Sequence, residues 1–260
     1  MNVAKIFPFR RLVSAPRVRL VCLPYAGGAA ALYHGWAKDL PSTIDVCPVE
    51  LPGRGVRLRE PLITDMAAMA EHIAAAIAEL PGNLPLALFG HSMGARIAFE
   101  VGRLVERRGA GRFDGLVQLF ASGSPAPGMR RNLHLDDPRP SAELDDDEFR
   151  QRLRQLGGTP RQVLEHDELM AHVLPIVRAD FILIEEYRAD PDARLSCPLT
   201  AFAGAQDPGA AEGDPAMVGW RQRTTGKTRI VGVDAGHFFL ESHRADLLRE
   251  IAHDLAPWLA

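Results

Sequence analysis

The chain has 260 residues, enough for one large core, and 30 basic against 33 acidic side chains leave a net charge of −3. That balance excludes a chain-wide electrostatic footprint for nucleic acid or an anionic membrane, and 47% hydrophobic with 24% charged residues excludes a largely disordered chain. Three cysteines (Cys22, Cys47 and Cys197), with no Cys-x-x-Cys and no Cys/His cluster, exclude a disulfide scaffold and point to no metal site.

The N-terminal stretch is basic (Arg10, Arg11, Arg17, Arg19) and no uninterrupted apolar run follows it, so no secretory signal is expected. No apolar run approaches the ~20 residues of a membrane span. A cytoplasmic protein is expected. Residues 18–23 read as a buried strand stopped by Pro24, Gly27 and Gly28. Residues 29–40 read as a helix, 44–51 as a strand ended by Pro52-Gly53, and the alanine-rich 64–80 as a helix. A strand follows at 84–89, a helix at 95–108 closing at Gly109, and a strand at 116–121. Between 122 and 197 no strand is expected. That stretch opens on a Pro/Gly/Ser-rich loop and continues with helices near 145–156, 160–166 and 167–187. Strands resume at 199–203 and 228–233, and a last helix covers 245–259. Short apolar strands alternating with helices predict an α/β fold, a mostly parallel sheet flanked by helices. We read 1–260 as one domain in which 122–197 is a helical insertion. An insertion after a strand end is where loops build sites.

Gly90-His91-Ser92-Met93-Gly94 sits between a strand and a helix, the setting of a nucleophile elbow. The glycines allow a sharp turn, which lifts the Ser92 hydroxyl above the sheet. The Met93 N–H, at a helix N-terminus, faces a developing oxyanion. A serine needs a base. Of nine histidines, His237 follows a late strand in Asp234-Ala235-Gly236-His237-Phe238-Phe239. His34, His134, His172, His243 and His253 lie on helices or polar loops, and His91 suits packing or hydrogen bonding at the elbow. The orienting acid belongs between Ser92 and His237 in sequence, and Asp207 fits, with Asp234 or Asp214 as substitutes. The second oxyanion donor is expected in Leu23-Pro24-Tyr25-Ala26-Gly27-Gly28, from the Ala26 N–H, with Tyr25 a candidate substrate contact.

The segment 167–187 places Met170, Leu174, Val177 and Phe181 on one apolar face and Leu169, Ile176 and Leu183 on another. One face is expected to pack on the core and the other either to pack there as well or to line a pocket, with a kink or break at Pro175. The acidic stretch 136–148 lacks calcium-loop spacing and reads as a solvated edge favouring a helix N-terminus.

In combination these blocks resemble an external (type II) thioesterase of polyketide and nonribosomal peptide assembly lines. Leu51-Pro52-Gly53-Arg54, Leu156-Gly157-Gly158-Thr159-Pro160, Arg178-Ala179-Asp180-Phe181 and Gly236-His237-Phe238-Phe239-Leu240 extend the resemblance over nearly the whole chain. It implies an α/β-hydrolase core with a helical lid and a triad of Ser92, Asp207 and His237. It implies editing hydrolysis of acyl groups from the phosphopantetheine arm of acyl or peptidyl carrier proteins, with no cofactor of its own. The segment after Asp207 (Gly209-Ala210-Ala211-Glu212-Gly213) is smaller than the family's usual stretch. Carrier proteins are acidic, so Arg54, Arg57 and Arg59, or Arg103, Arg107, Arg108 and Arg112, are candidates to guide docking. A monomer acting on small acyl groups is expected, with neither nucleic acid nor membrane as partner. An assembly-line acyltransferase, a small-ester esterase and a catalytically silent carrier-binding module are the competing readings.

Overall fold

In the computed structural model, residues 2–108, 115–129, 135–159 and 161–259 are described. Gly109, Arg112, His134 and Pro160, which entered the sequence reading, lie outside them. All six expected strands form: β1 (Val18–Leu23), β2 (Ile44–Pro48), β3 (Leu86–His91), β4 (Leu116–Ser122), β5 (Leu199–Gly204) and β6 (Thr228–Val233). They make one parallel sheet in the order β2-β1-β3-β4-β5-β6. The order reverses between β1 and β3, the switch point at which α/β sheets bind ligands at their carboxyl ends.

The strands are apolar on both faces because helices cover both. Val21, Leu23, Leu86 and Leu88 pack against the helices Met66–Ala78 and Met93–Arg108. Leu20, Cys22, Ala87 and Phe89 pack on the other side against Tyr33, Trp36 and the C-terminal helix Arg244–Leu255. Asp65 caps the first of these helices by accepting from the Ala68 N–H at 2.7 Å. The basic N-terminal stretch is partly structural: Arg10 and Arg19 both pair with the buried Asp45 of β2.

Several expectations change. The single helix at 29–40 is instead a 3₁₀ turn (Ala30–Tyr33) and one α-turn (Trp36–Asp39). Gly35 between them takes φ +89°, and the break lets both Tyr33 and Trp36 reach the core. The helix at 245–259 ends as Arg244–Leu255, with a 3₁₀ turn around Pro257. The break allowed for at Pro175 does not occur, since the helix runs continuously from Asp167 to Glu186. Pro175 and Ala171 are both exposed, so the carbonyl that loses its donor lies on the solvent side.

Between β4 and β5 the described residues form helices Asp146–Leu156, Arg161–Leu164 and Asp167–Glu186. Asp145 and Glu148 close a capping box on the first, the use expected for that acidic stretch. The long helix joins two cores along its length. Met170, Leu174 and Val177 pack with Leu144, Phe149, Leu153 and Leu164, whereas Leu183 packs on the main core. The expected second face is therefore not continuous, since Leu169 is exposed.

All three thiols are free and buried. Burial pushes Cys22 and Cys47 well above the ordinary range, and burial with the nearby Glu106 carboxylate pushes Cys197 up to about 12. A disulfide reagent at pH 8 is expected to leave the native protein unmodified and to label Cys22, Cys47 and Cys197 once it is unfolded in denaturant. Rapid native labelling would show that the core opens readily.

Candidate active site

β3 runs straight into the helix Met93–Arg108 with Ser92 at the corner. Ser92 is the one non-glycine among the described residues with positive φ, at +55°. Its N–H donates to the Ser122 carbonyl at 2.8 Å, tying the corner to β4. Both flanking glycines are needed for space. A Cβ on Gly90 would overlap the backbone of Gly94, and one on Gly94 would overlap the Leu23 carbonyl. The elbow is thus wedged against the end of β1, beside the loop that carries Ala26. Met93 opens the helix, so its N–H has no intrahelical acceptor.

His237 lies in the loop after β6 and Asp207 in the loop after β5. The His237 Nδ1 donates to Asp207 Oδ2 at 2.7 Å, and the Asp207 side chain is buried. The two loops can approach because β5 ends in Gly204, where a Cβ would sit 2.9 Å from the Ala235 carbonyl. Asp214 instead caps a short helix through the Ala216 N–H, and the exposed Asp234 accepts from Gln206 at 3.2 Å. Asp207 is the acid that the fold brings to His237.

His91 is fully buried and links the elbow to the histidine loop. A backbone carbonyl only accepts, so His91 Nε2 carries a proton and donates to His237 O at 3.0 Å. Its Nδ1 lies 2.9 Å from Ser122 Oγ. The two imidazoles are 5.1 Å apart, which sets the His237 ring beside the elbow. Tyr25 packs edge-on against both His91 and Phe238, and Phe238 against His237. A cleft of about 500 Å³ opens on the far side of Tyr25 from the triad, lined by Tyr25, Gly27, Gly28, Leu32, Leu240 and Glu241 among others and by none of Ser92, Asp207 and His237. Burial and the Glu241 carboxylate push the Tyr25 phenol up, so it stays a neutral donor at the rim.

The Thioesterase domain family matches residues 18–255, almost the whole chain. The chain belongs to this thioesterase family. Its relatives include the thioesterase PikA5 of Streptomyces venezuelae, 37% identical over all of this chain and 88% of its own. Linear gramicidin dehydrogenase LgrE of Brevibacillus parabrevis is 38% identical over 96% of this chain and 92% of its own. Among solved structures, the type II thioesterase BorB from the borrelidin biosynthetic cluster superposes with a TM-score of 0.79 at 35% identity, covering 95% of this chain and 97% of that one. The six-stranded sheet is accordingly an α/β-hydrolase sheet, and the enzyme is a thioester hydrolase.

In this thioesterase the predicted pocket residues occupy two settings. Tyr25 lines the cleft. Met170, Leu174 and Val177 are buried in the apolar cluster of the insertion, and Phe181 is half-buried against Phe149 with ring centres 5.6 Å apart. Val177 nonetheless reaches the site from above, since a Cβ on Gly27 would lie 3.0 Å from its Cγ2.

The arginines read as docking candidates divide similarly. Arg54 and Arg57 are buried, bound to Asp180 and to Glu60 and the Glu50 carbonyl. Arg103 pairs with Glu100 and Asp190, and Arg108 with Glu71. Arg59 and Arg107 remain exposed. The buried charges Glu50, Arg54 and Asp180 around the β1 loop went unread as site residues. Arg54 and Asp180 lay in blocks shared with the family, Arg54 being read there only as a docking cation, and Glu50 carried no sequence signal.

Proposed function

We propose that the protein edits assembly lines by hydrolysing stalled or aberrant acyl thioesters from the phosphopantetheine arm of acyl or peptidyl carrier proteins, through an acyl-Ser92 intermediate. The carrying observation is the buried Asp207 held 2.7 Å from His237 Nδ1, with that imidazole packed beside the Ser92 elbow. With Nδ1 turned to Asp207, Nε2 is the nitrogen that takes up the Ser92 proton as Oγ attacks the thioester carbonyl. Asp207 stabilises the imidazolium. The N–H groups of Ala26 and Met93 receive the oxyanion. Collapse of the tetrahedral intermediate breaks the C–S bond, and His237 returns the proton to the departing carrier thiolate. Water, deprotonated by the same nitrogen, then attacks the acyl-serine and releases the acid and the free hydroxyl. No step calls on a cofactor.

The helices between β4 and β5 act in this reading as the lid, with Val177 at the acyl chain's entrance and Tyr25 at the rim. The free, buried thiols suit a cytoplasmic location, and a monomer suffices because the elements of the site come from one chain. Among the described residues, Arg59 and Arg107 are exposed cationic candidates for meeting an acidic carrier.

The test is the intact mass of carrier proteins loaded with acetyl, propionyl and longer acyl groups, before and after addition of the enzyme. Loss of the acyl mass with release of free acid is the expected result. Passage of the acyl group to an unloaded carrier would identify an acyltransferase. Cleavage of a small oxygen ester with every carrier left intact would identify an esterase, and carrier binding without turnover a binding module.

A further inference from the structure

Three buried charged side chains grip the backbone of the loop that follows β1. Asp180 Oδ2 accepts from the Gly27 N–H at 2.7 Å. Arg54 Nη1 donates to the Gly28 carbonyl at 3.0 Å. Glu50 Oε1 accepts from the Ala30 N–H at 3.1 Å. Arg54 and Asp180 are themselves joined by two parallel bonds of 2.7 and 2.8 Å. Asp180 is 1% exposed, Glu50 3% and Arg54 5%.

Charges are an expensive way to fill a core. An apolar pair of similar volume commonly gives equal or greater stability. What this arrangement provides that packing cannot is direction, because each carboxylate and the guanidinium ends on a specific backbone atom. Charge-assisted bonds of this kind are roughly twice as strong as neutral ones. The backbone they hold is one residue beyond Ala26, where an oxyanion donor must sit within about 0.5 Å of its productive place. Asp180, moreover, belongs to the insertion helix Asp167–Glu186 and not to the sheet. One turn earlier on that helix, Val177 presses on the same Gly27, whose φ of +78° suits no other residue well.

We propose that Asp180 is a positioning residue. Through the Gly27 N–H and through Arg54 it sets the loop that presents the Ala26 N–H, so the insertion helix completes an oxyanion hole whose other wall is the elbow. The inference rests on the assignment of Ala26 as an oxyanion donor. It makes the lower half of this helix a fixed part of the catalytic apparatus. Any opening of the lid must then take place in the shorter helices before it.

The experiment compares wild type, Asp180→Asn and the double variant R54M/D180L on whichever acyl donor the wild type turns over. Two analogues are measured beside it. One is an acyl trifluoromethyl ketone, which forms a tetrahedral oxyanion on Ser92. The other is a thioether in which a methylene replaces the thioester carbonyl. For Asp180→Asn, kcat is expected to fall about 100-fold, the size of losing one oxyanion donor, and the ketone to bind weaker by a similar factor. KM and the thioether Kd should stay within about three-fold of wild type, since ground-state binding does not use the hole. The double variant replaces the ion pair with apolar side chains. It is expected to fold with a Tm near wild type and to show the same selective loss of ketone affinity.

Unchanged kcat in either folded variant overturns the proposal. So does an equal loss of ketone and thioether affinity, which would mean a collapsed pocket, or the failure of both variants to fold, which would make Asp180 purely structural. If the wild type spares carrier thioesters and cleaves an oxygen ester, the carrier reading fails. The ratio of variant to wild type on that ester still decides the role of Asp180.

Discussion

Ser92→Ala is expected to lower acyl-carrier hydrolysis by about 10⁴–10⁶-fold with the Tm unchanged. The substitution removes only an oxygen. It keeps a Cβ at the same +55° φ and keeps the Ser92 N–H bond to Ser122. The residual rate is what an oxyanion hole and substrate positioning supply without a nucleophile. Acyl-enzyme mass, visible in wild type quenched during turnover, should disappear. Asp207→Asn should also lose rate, on the order of 10²–10⁴-fold, because the amide no longer holds the His237 tautomer that points a base at the serine. A Ser92→Ala protein as active as wild type would move the chemistry elsewhere and dissolve the triad reading. The fold would remain untouched.

Gly90→Ala is expected to be the most damaging single methyl among the described glycines. A Cβ there would overlap the carbonyl of Gly94 and approach the Ala95 N–H nitrogen, all backbone atoms with nowhere to retreat. Gly94 is itself pinned, since its own Cα side abuts the Leu23 and Pro24 carbonyls. Relief would require the elbow helix to move away from β1, separating Ser92 from the Ala26 loop. Steric overlap in a closed backbone corner falls in the exceptional class of more than about 4 kcal/mol. Such a loss is a large part of the ~5–15 kcal/mol that holds a domain together. Thermal unfolding followed by circular dichroism should show a Tm lowered by ten degrees or more on the scale of about 2–4 °C per kcal/mol, or no soluble protein. A variant that melts with wild type would show that the corner is looser than its geometry indicates.

Both predictions concern a motif that could be read from the chain before any folding. The elbow announces itself locally because its requirements are local: a strand, a backbone corner free of Cβ atoms, and a helix. For the same reason all six strands were readable from short apolar runs bounded by Pro and Gly, and Ser92, His237 and the leading acid candidate Asp207 could be picked out by their places after strands. The helix at 29–40 misled because alanine-rich propensity is weak beside one glycine at φ +89°, which turns two aromatic rings into the core.

Other features had no local signature. Arg54 and Arg57 look like surface cations in sequence, since a charged side chain is solvated unless a partner meets it. The partner of Arg54 is Asp180, 126 residues away. His91 gave no hint that its Nε2 would hold the backbone of His237, 146 residues on. Met170, Leu174 and Val177 showed an apolar face but not what would cover it, and the insertion covers them with its own residues. Local patterning in the chain determined the six strands and most of the helices, and short motifs marked the residues competent for chemistry. The order β2-β1-β3-β4-β5-β6, the pairing of distant charges and the choice of Asp207 over its neighbours were decided by tertiary packing. Each depends on contacts between segments whose meeting no local propensity encodes.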